Sequence, residues 1–244
     1  MSISLKAAFE NLMSTPKKWM TILLIAVCFF IPVVGPIVMI GYLFKRFVNV
    51  RAGIPDFDFD FNDFVDYLKV GLWPFLVSLV FSLIYTPLFF LCFLPMLGVA
   101  ADPENESLIL IVIGGCFLLM FAMTILCSIL TWPMMLRSAV TMNFAQGFKF
   151  SWHFNFIKKV GIQIILWNFV VLLVSIPLSM LGSLAFFVGV YFTSAMLLFV
   201  MYHLLFQIYD RYLELGGEAI PVNPNMIKEP KEALPPPPHV IENT

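Results

Sequence analysis

The sequence predicts an all-α, polytopic membrane helix bundle, and three observations carry that prediction. Apolar residues make up 61% of the chain against 12% charged, and mean hydropathy is +0.94. The apolar residues gather into runs of spanning size, about 20 residues for each crossing of the hydrocarbon layer. All fourteen Lys and Arg residues lie between or beyond those runs and none lies inside one. Together these define four spanning helices plus a Pro/Gly-broken first hairpin, with interfacial helices on the cytoplasmic face.

The elements follow in order. Residues 1–18 read as an amphipathic surface helix, because Ile3, Leu5, Phe9, Leu12 and Met13 roughly keep helical spacing with Lys6, Glu10 and Asn11 on the other side. The integral membrane domain covers 19–215, with hydrophobic runs at 19–44, 70–100, 108–136, 160–181 and 183–209. The first run admits two readings. As one tilted helix of about 26 residues it spans, placing Lys6, Lys17 and Lys18 outside. Broken at Pro32, Gly35 and Pro36, it becomes a re-entrant hairpin with both arms opening to the cytoplasm. The hairpin is favoured, because it alone keeps every basic residue inside. Lys17 and Lys18 before an apolar stretch also resemble a signal peptide, but no small-residue cleavage site follows, so the segment is expected to be retained.

The stretch from Val160 to about Tyr209 is too long for one crossing and must reverse. The sequence IPLSMLGS places the reversal around Pro177 to Ser183, with Pro177 and Gly182 as the helix breaks. Acidic residues without basic ones at 100–107, and the uncharged turn near Gly182, put those loops outside. Arg137, Lys149, Lys158 and Lys159 put the 137–159 connection in the cytoplasm, and Arg211, Lys228 and Lys231 do the same for the C-terminus. Amphipathic segments at 57–69 and 144–159 end in lysine just before a membrane run, as surface helices do. Gly216 and Gly217 end the last helix, and the proline-rich 216–244 is expected to be a disordered cytoplasmic tail.

Few residues suggest chemistry. The net charge of −1 gives no reason to expect a nucleic-acid partner. Cys28, Cys92, Cys116 and Cys127 lie in apolar stretches without a CxxC pair, so neither a disulfide framework nor a zinc site is indicated. No nucleophile–base arrangement, HExxH or phosphate-cradling loop is present, hence no catalytic, cofactor-binding or metal residues are assigned. In PDFDFDFNDFVD, Asp56, Asp58 and Asp60 alternate with phenylalanines, but the glycine and distal glutamate of a calcium loop are missing. That stretch reads as interfacial, phenylalanines dipping into headgroups and acids staying wet, with Asp63 capping the following helix. The intramembrane polar side chains are Gln163, Asn168, Thr193, His203 and Gln207. Of these, His203 and Gln207 share a helical face and read as hydrogen-bonded glue between helices, or else as part of a proton or substrate path.

Several segments resemble a known family of bacterial and archaeal membrane proteins, domain-of-unknown-function family four thousand and thirteen. The pieces are AAFENLMSTPKKW, IPVVGPIVMIGYLFKR, GIPDFDFDFNDF followed by Gly71, and YDRYLELGGE. The resemblance implies a helical fold and a bacterial cytoplasmic membrane, and it supplies no catalytic residues. Expected partners are the lipid bilayer and either a membrane protein or further copies of the chain. The function expected is that of a non-enzymatic partner-binding or membrane-organising subunit, the alternative being a small-solute transporter or channel component lined by the breaks at Pro32–Pro36 and Pro177–Gly182.

Overall fold

A computed structural model describes residues 3–14, 17–100, 106–184 and 186–228. Among them there is no strand. The α-helices are α1 (Leu5–Ser14), α2 (Lys18–Cys28), α3 (Val34–Arg51), α4 (Phe64–Ala100), α5 (Glu106–Thr141), α6 (Phe150–Leu184) and α7 (Phe186–Glu214). Four of them, within Phe61–Pro95, Ser107–Thr141, Phe150–Leu184 and Val188–Glu214, are long and apolar enough to cross a membrane. The apolar windows of the first three are each only 6% buried within the chain, against 39% for the last. Side chains such as Leu83, Phe90, Leu110 and Leu166 are therefore left to lipid, whereas α7 lies partly inside.

The first apolar run is a hairpin, not a single crossing. α2 ends at Cys28 and α3 begins at Val34. The chain returns far enough that Thr21 of α2 and Tyr42 of α3 meet the same strand of chain: Thr21 Oγ1 accepts from the Phe59 N–H, while Tyr42 Oη donates to the Phe57 carbonyl. At the tip Val33 has φ +64°, and the Val34 N–H donates to the Pro32 carbonyl at 2.7 Å, a γ-turn. Pro32 thus lies in the break, as expected, but Gly35 and Pro36 belong to the first turn of α3. Proline is tolerated there because the first-turn N–H groups have no intrahelical acceptor.

α3 is the pillar of the fold. From Ile37 to Asn49 every residue but Ile40 is buried. Helices α2 to α7 each pack on the next, α2 also packs on α7, and α3 touches α5 and α7 as well as its neighbours. Two glycines allow the closest of these approaches: a β-carbon at Gly41 would overlap the Tyr67 carbonyl of α4, and one at Gly71 would overlap the Ile37 carbonyl of α3. Around the crossing, Tyr42 makes edge contacts with Phe57, Phe59 and Tyr67.

Two expectations are corrected. The reversal near Pro177 and Gly182 does not occur there, since α6 continues through both to Leu184. In hydrocarbon a broken helix exposes several backbone groups that water cannot satisfy, so a proline that removes one N–H is accommodated within the helix. Gly182 serves packing instead: a β-carbon there would sit 2.6 Å from Thr193 Oγ1 and 2.9 Å from the Gly189 carbonyl of α7. The stretches 57–69 and 144–159 are not separate surface helices. Phe61–Asp63 and Ala145–Phe148 form single 3-10 turns, and α4 and α6 then run without interruption into their apolar segments. Asp60 caps the first of these turns, accepting from the Asn62 N–H at 2.9 Å, while the Asp63 carboxylate just before α4 accepts from Tyr67 Oη at 3.4 Å and from the Lys228 ammonium at 2.6 Å. The acidic loop at 101–105 lies outside the described residues.

Because the α3–α4 crossing leaves no room for a side chain, Gly41→Ala is expected to force the helices apart and cost about 3 kcal/mol, the scale of severe overpacking. Thermal unfolding of the purified protein in mild detergent measures this, and an unshifted midpoint would contradict the close approach.

Candidate functional site

The basic residues that flank the apolar runs gather at one end of the bundle, where α2, α4 and α6 start and α3, α5 and α7 end. Part of this basic end is buried. Arg46 has no exposed surface, and its guanidinium pairs with the Asp56 carboxylate, donates to Asn11 Oδ1 at 3.2 Å and lies 4.3 Å from the centre of the Phe199 ring. One turn on, the fully buried Asn49 donates through Nδ2 to the carbonyls of Lys45 (2.6 Å) and Met226 (2.7 Å), while its Oδ1 accepts the Lys228 N–H at 2.6 Å. Lys45, 6% exposed, reaches Asp66 at 3.5 Å. Burial pushes the Tyr42 phenol far above its ordinary range, so it remains a hydrogen-bond donor.

The acidic stretch supplies the partners. Residues 54–60 form neither helix nor strand, and Phe57 and Phe59 do share a side, but that side is the Tyr42 cluster, with Phe59 buried. The acids keep part of their surface in solvent and also take partners within the chain. Asp56 holds Arg46, and Asp58 accepts the Lys17 N–H at 3.0 Å at the start of α2. A carboxylate there complements the positive end of the helix dipole.

The first part of the expected disordered tail is also ordered. α7 stops at Glu214 with Gly216 at φ +72°, and residues 217–228 run back across the basic end as a strap. The Trp152 indole donates to the Glu218 carbonyl (2.9 Å), the Ile220 N–H donates to Tyr209 Oη (2.7 Å), and the Asn223 N–H donates to the Val140 carbonyl (3.0 Å). Ile220 and Met226 are buried, and the Lys228 ammonium lies 2.6 Å from Asp63 and 4.6 Å from the centre of the Phe57 ring. Apolar burial combined with satisfied backbone groups offsets the ordering entropy that proline-rich composition alone suggests would win. Residues 229–244, with the polyproline run, lie outside the described residues.

Beside the strap opens a cleft of about 710 Å³. Lys45, Asp63, Asp66, Lys69, Asn225 and Lys228 give it polar groups, while Val70, Met142 and Ile227 give it apolar wall. Asp66 is shared, with Lys45 at 3.5 Å from one oxygen and Lys69 at 3.6 Å from the other. A concave site with a few convergent polar groups and an apolar wall is suited to binding.

His203 and Gln207 are brought together but lie away from this cleft. Gln207 Nε2 donates to His203 Nδ1 at 2.8 Å and to the Ser4 carbonyl at 3.1 Å, and Gln207 Oε1 accepts the Ser4 N–H at 2.7 Å. The pair thereby fastens the segment leading into α1 onto α7, and the His203 ring stands edge-on to Phe47 of α3 at 5.3 Å. Pro32, Gly35, Pro36, Pro177 and Gly182 do not contribute to the cleft lining.

Within the segments that carry the resemblance, Arg46 pairs with Asp56, Tyr42 packs on Phe57, and Gly71 lies against Ile37 and Gly41. A match to the family described as "Protein of unknown function (DUF4013)" covers residues 24–187. The chain belongs to this family. No curated protein and no solved structure matches it. The DUF4013 segment runs from within α2 to the start of α7, so it supplies Lys45, Arg46, Asp56, Asp63, Asp66 and Lys69. Asn11, the strap and Lys228 come from outside it.

Sequence reasoning treated Lys45, Arg46, Lys69 and Lys228 only as flanking charges and did not single out Asp66. A signal was present in the spacing, since Lys45 and Asn49 are one helical turn apart and Asp66 and Lys69 are three residues apart. Nothing local marks Lys228, whose partner Asp63 is 165 residues away.

Two outcomes follow from the buried layer. Truncation after Gly217 is expected to lower stability by about 4 kcal/mol, because it exposes the sites that Ile220 and Met226 cover, and chemical unfolding in detergent reads the loss. A second comparison concerns two buried arginines. Arg137, 2% exposed, donates to Gln146 Oε1 at 3.2 Å and lies 5.1 Å from the centre of the Trp152 ring, with no ion pair among the described residues. Arg46→Met strands Asp56 and should cost about 3 to 5 kcal/mol, whereas Arg137→Met should stay within about 1 kcal/mol of wild type. Equal losses would show that ion pairing does not separate the two sites.

Proposed function

We propose that the protein is a non-enzymatic, membrane-embedded binding subunit that holds a partner molecule at the basic end of its bundle. The supporting observation is the contrast between interior and surface: α3 fills the centre of the bundle from Ile37 to Asn49, while an open cleft with apolar wall and charged rim lies beside the strap. A binding subunit needs a packed interior and a usable surface. The runner-up, a small-solute transporter, needs a polar passage that reaches the helix breaks near the bilayer midplane. The excess of Lys and Arg at the basic end supports a cytoplasmic placement of the cleft in a cell membrane.

The reading is tested by purification in mild detergent and identification of co-purifying proteins and lipids for wild type and Lys69→Glu. Lys69 is exposed and its charge lies at the rim, so the variant is expected to fold normally and to lose the molecule that wild type retains. Identical co-purification from both, or solute flux in proteoliposomes that Lys69→Glu leaves unchanged, would overturn it.

A further inference from the structure

The cleft has a specific charge imbalance. Three ammonium groups, on Lys45, Lys69 and Lys228, face two carboxylates, on Asp63 and Asp66, leaving one positive charge in excess. The excess is not spread over a solvated face. Lys228 is committed to Asp63 at 2.6 Å, but Lys45 and Lys69 share the single Asp66 at 3.5 and 3.6 Å, both longer than a charge-assisted hydrogen bond of about 2.8 Å. The Lys45 side chain is 8% exposed; Asp66 lies 3.5 Å from its ammonium, and Asp63, already paired with Lys228, is also within electrostatic reach. The second ammonium, on Lys69, is 65% exposed and free to swing. Asn225 adds a side-chain amide to the polar rim.

The geometry points to a phosphate-bearing group as the ligand of this cleft, a singly charged phosphodiester headgroup being the charge match. Its oxygens would complete the hydration lost by Lys45 and take the free donors of Lys69, while Val70, Met142 and Ile227 would lie against the carbon atoms esterified to it. The inference rests on the reading of the basic-end cleft as the binding site and names the chemistry that it recognises. The phosphate could belong to a lipid of the adjoining leaflet or to a soluble phosphate-bearing molecule, and the experiment separates these sources.

The full-length protein in dodecyl maltoside is titrated with short-chain phosphatidylglycerol, with short-chain phosphatidylcholine, and with inorganic phosphate at constant ionic strength, and thermal stability is followed. Saturable stabilisation by phosphatidylglycerol but not by phosphatidylcholine is expected, weakened about tenfold or more in Lys69→Glu, given about 1 kcal/mol for each surface cation facing an anionic headgroup. Asp66→Asn, which removes a competing carboxylate, should bind several-fold more tightly. Lys158→Glu, at an exposed lysine of the same end outside the cleft, should bind as wild type does. Stabilisation by inorganic phosphate with the same dependence on Lys69 and Asp66 supports the same site with a soluble source. No saturable response to either phosphate probe, or a response that Lys69→Glu leaves intact, overturns the inference. If the Lys69→Glu protein meanwhile still loses a co-purifying protein, the binding-subunit reading survives and only its phosphate chemistry fails; if phosphate binds but nothing co-purifies, the reverse holds.

Discussion

The ion pair between Arg46 and Asp56 is the constraint around which the basic end is built. A guanidinium with no exposed surface at the end of an apolar bundle is tolerable only if its charge and its donors are met nearby. Meeting them requires that the acidic stretch after α3 fold back onto α3, which carries Phe57 and Phe59 onto Tyr42 and places Asp58 at the start of α2. It also draws α1 inward, since Asn11 accepts from the same guanidinium. One buried cation thus ties together three segments that are apart in the chain.

Two kinds of helix result. α4, α5 and α6 are apolar almost throughout and spend that surface on lipid, where helix packing has no hydrophobic driving force and rests on close contact and hydrogen bonds. α3 is less apolar in sequence yet is the most enclosed, because it provides both the glycine that meets α4 and the polar side chains that meet the strap. Among the intramembrane polar residues, Thr193 donates to the Val190 carbonyl, Asn168 to the Ile164 carbonyl and Gln207 to that of Ser4, while the buried Gln163 Oε1 has no partner among the described residues. In hydrocarbon an unmade bond has no water to fall back on.

The strap shows how composition misleads when tertiary contacts are dense. Pro221 and Pro224 read as markers of a solvated tail, yet proline fits a segment that pairs through few backbone N–H groups and supplies Ile220 and Met226 as anchors. Pro177 was read with equal reason as a helix break, and the helix absorbed it. In both cases local propensity, worth about 1 to 3 kcal/mol, was set against burial or backbone satisfaction of comparable or larger size.

The sequence by itself determined the all-α class, the four helices long and apolar enough to cross a membrane, the end at which the basic residues gather and the break at Pro32, because these depend on the length and polarity of contiguous segments. It also carried the family resemblance. What only the tertiary structure decided was which charges leave water: that Arg46 rather than Arg51 is wholly buried, that Lys45 and Lys69 share Asp66, and that Lys228 returns to Asp63 to form the wall of a cleft. The physical reason is that hydropathy is a property of a residue, whereas the cost of a buried charge is set by which carboxylate arrives beside it, and that depends on how separate helices cross.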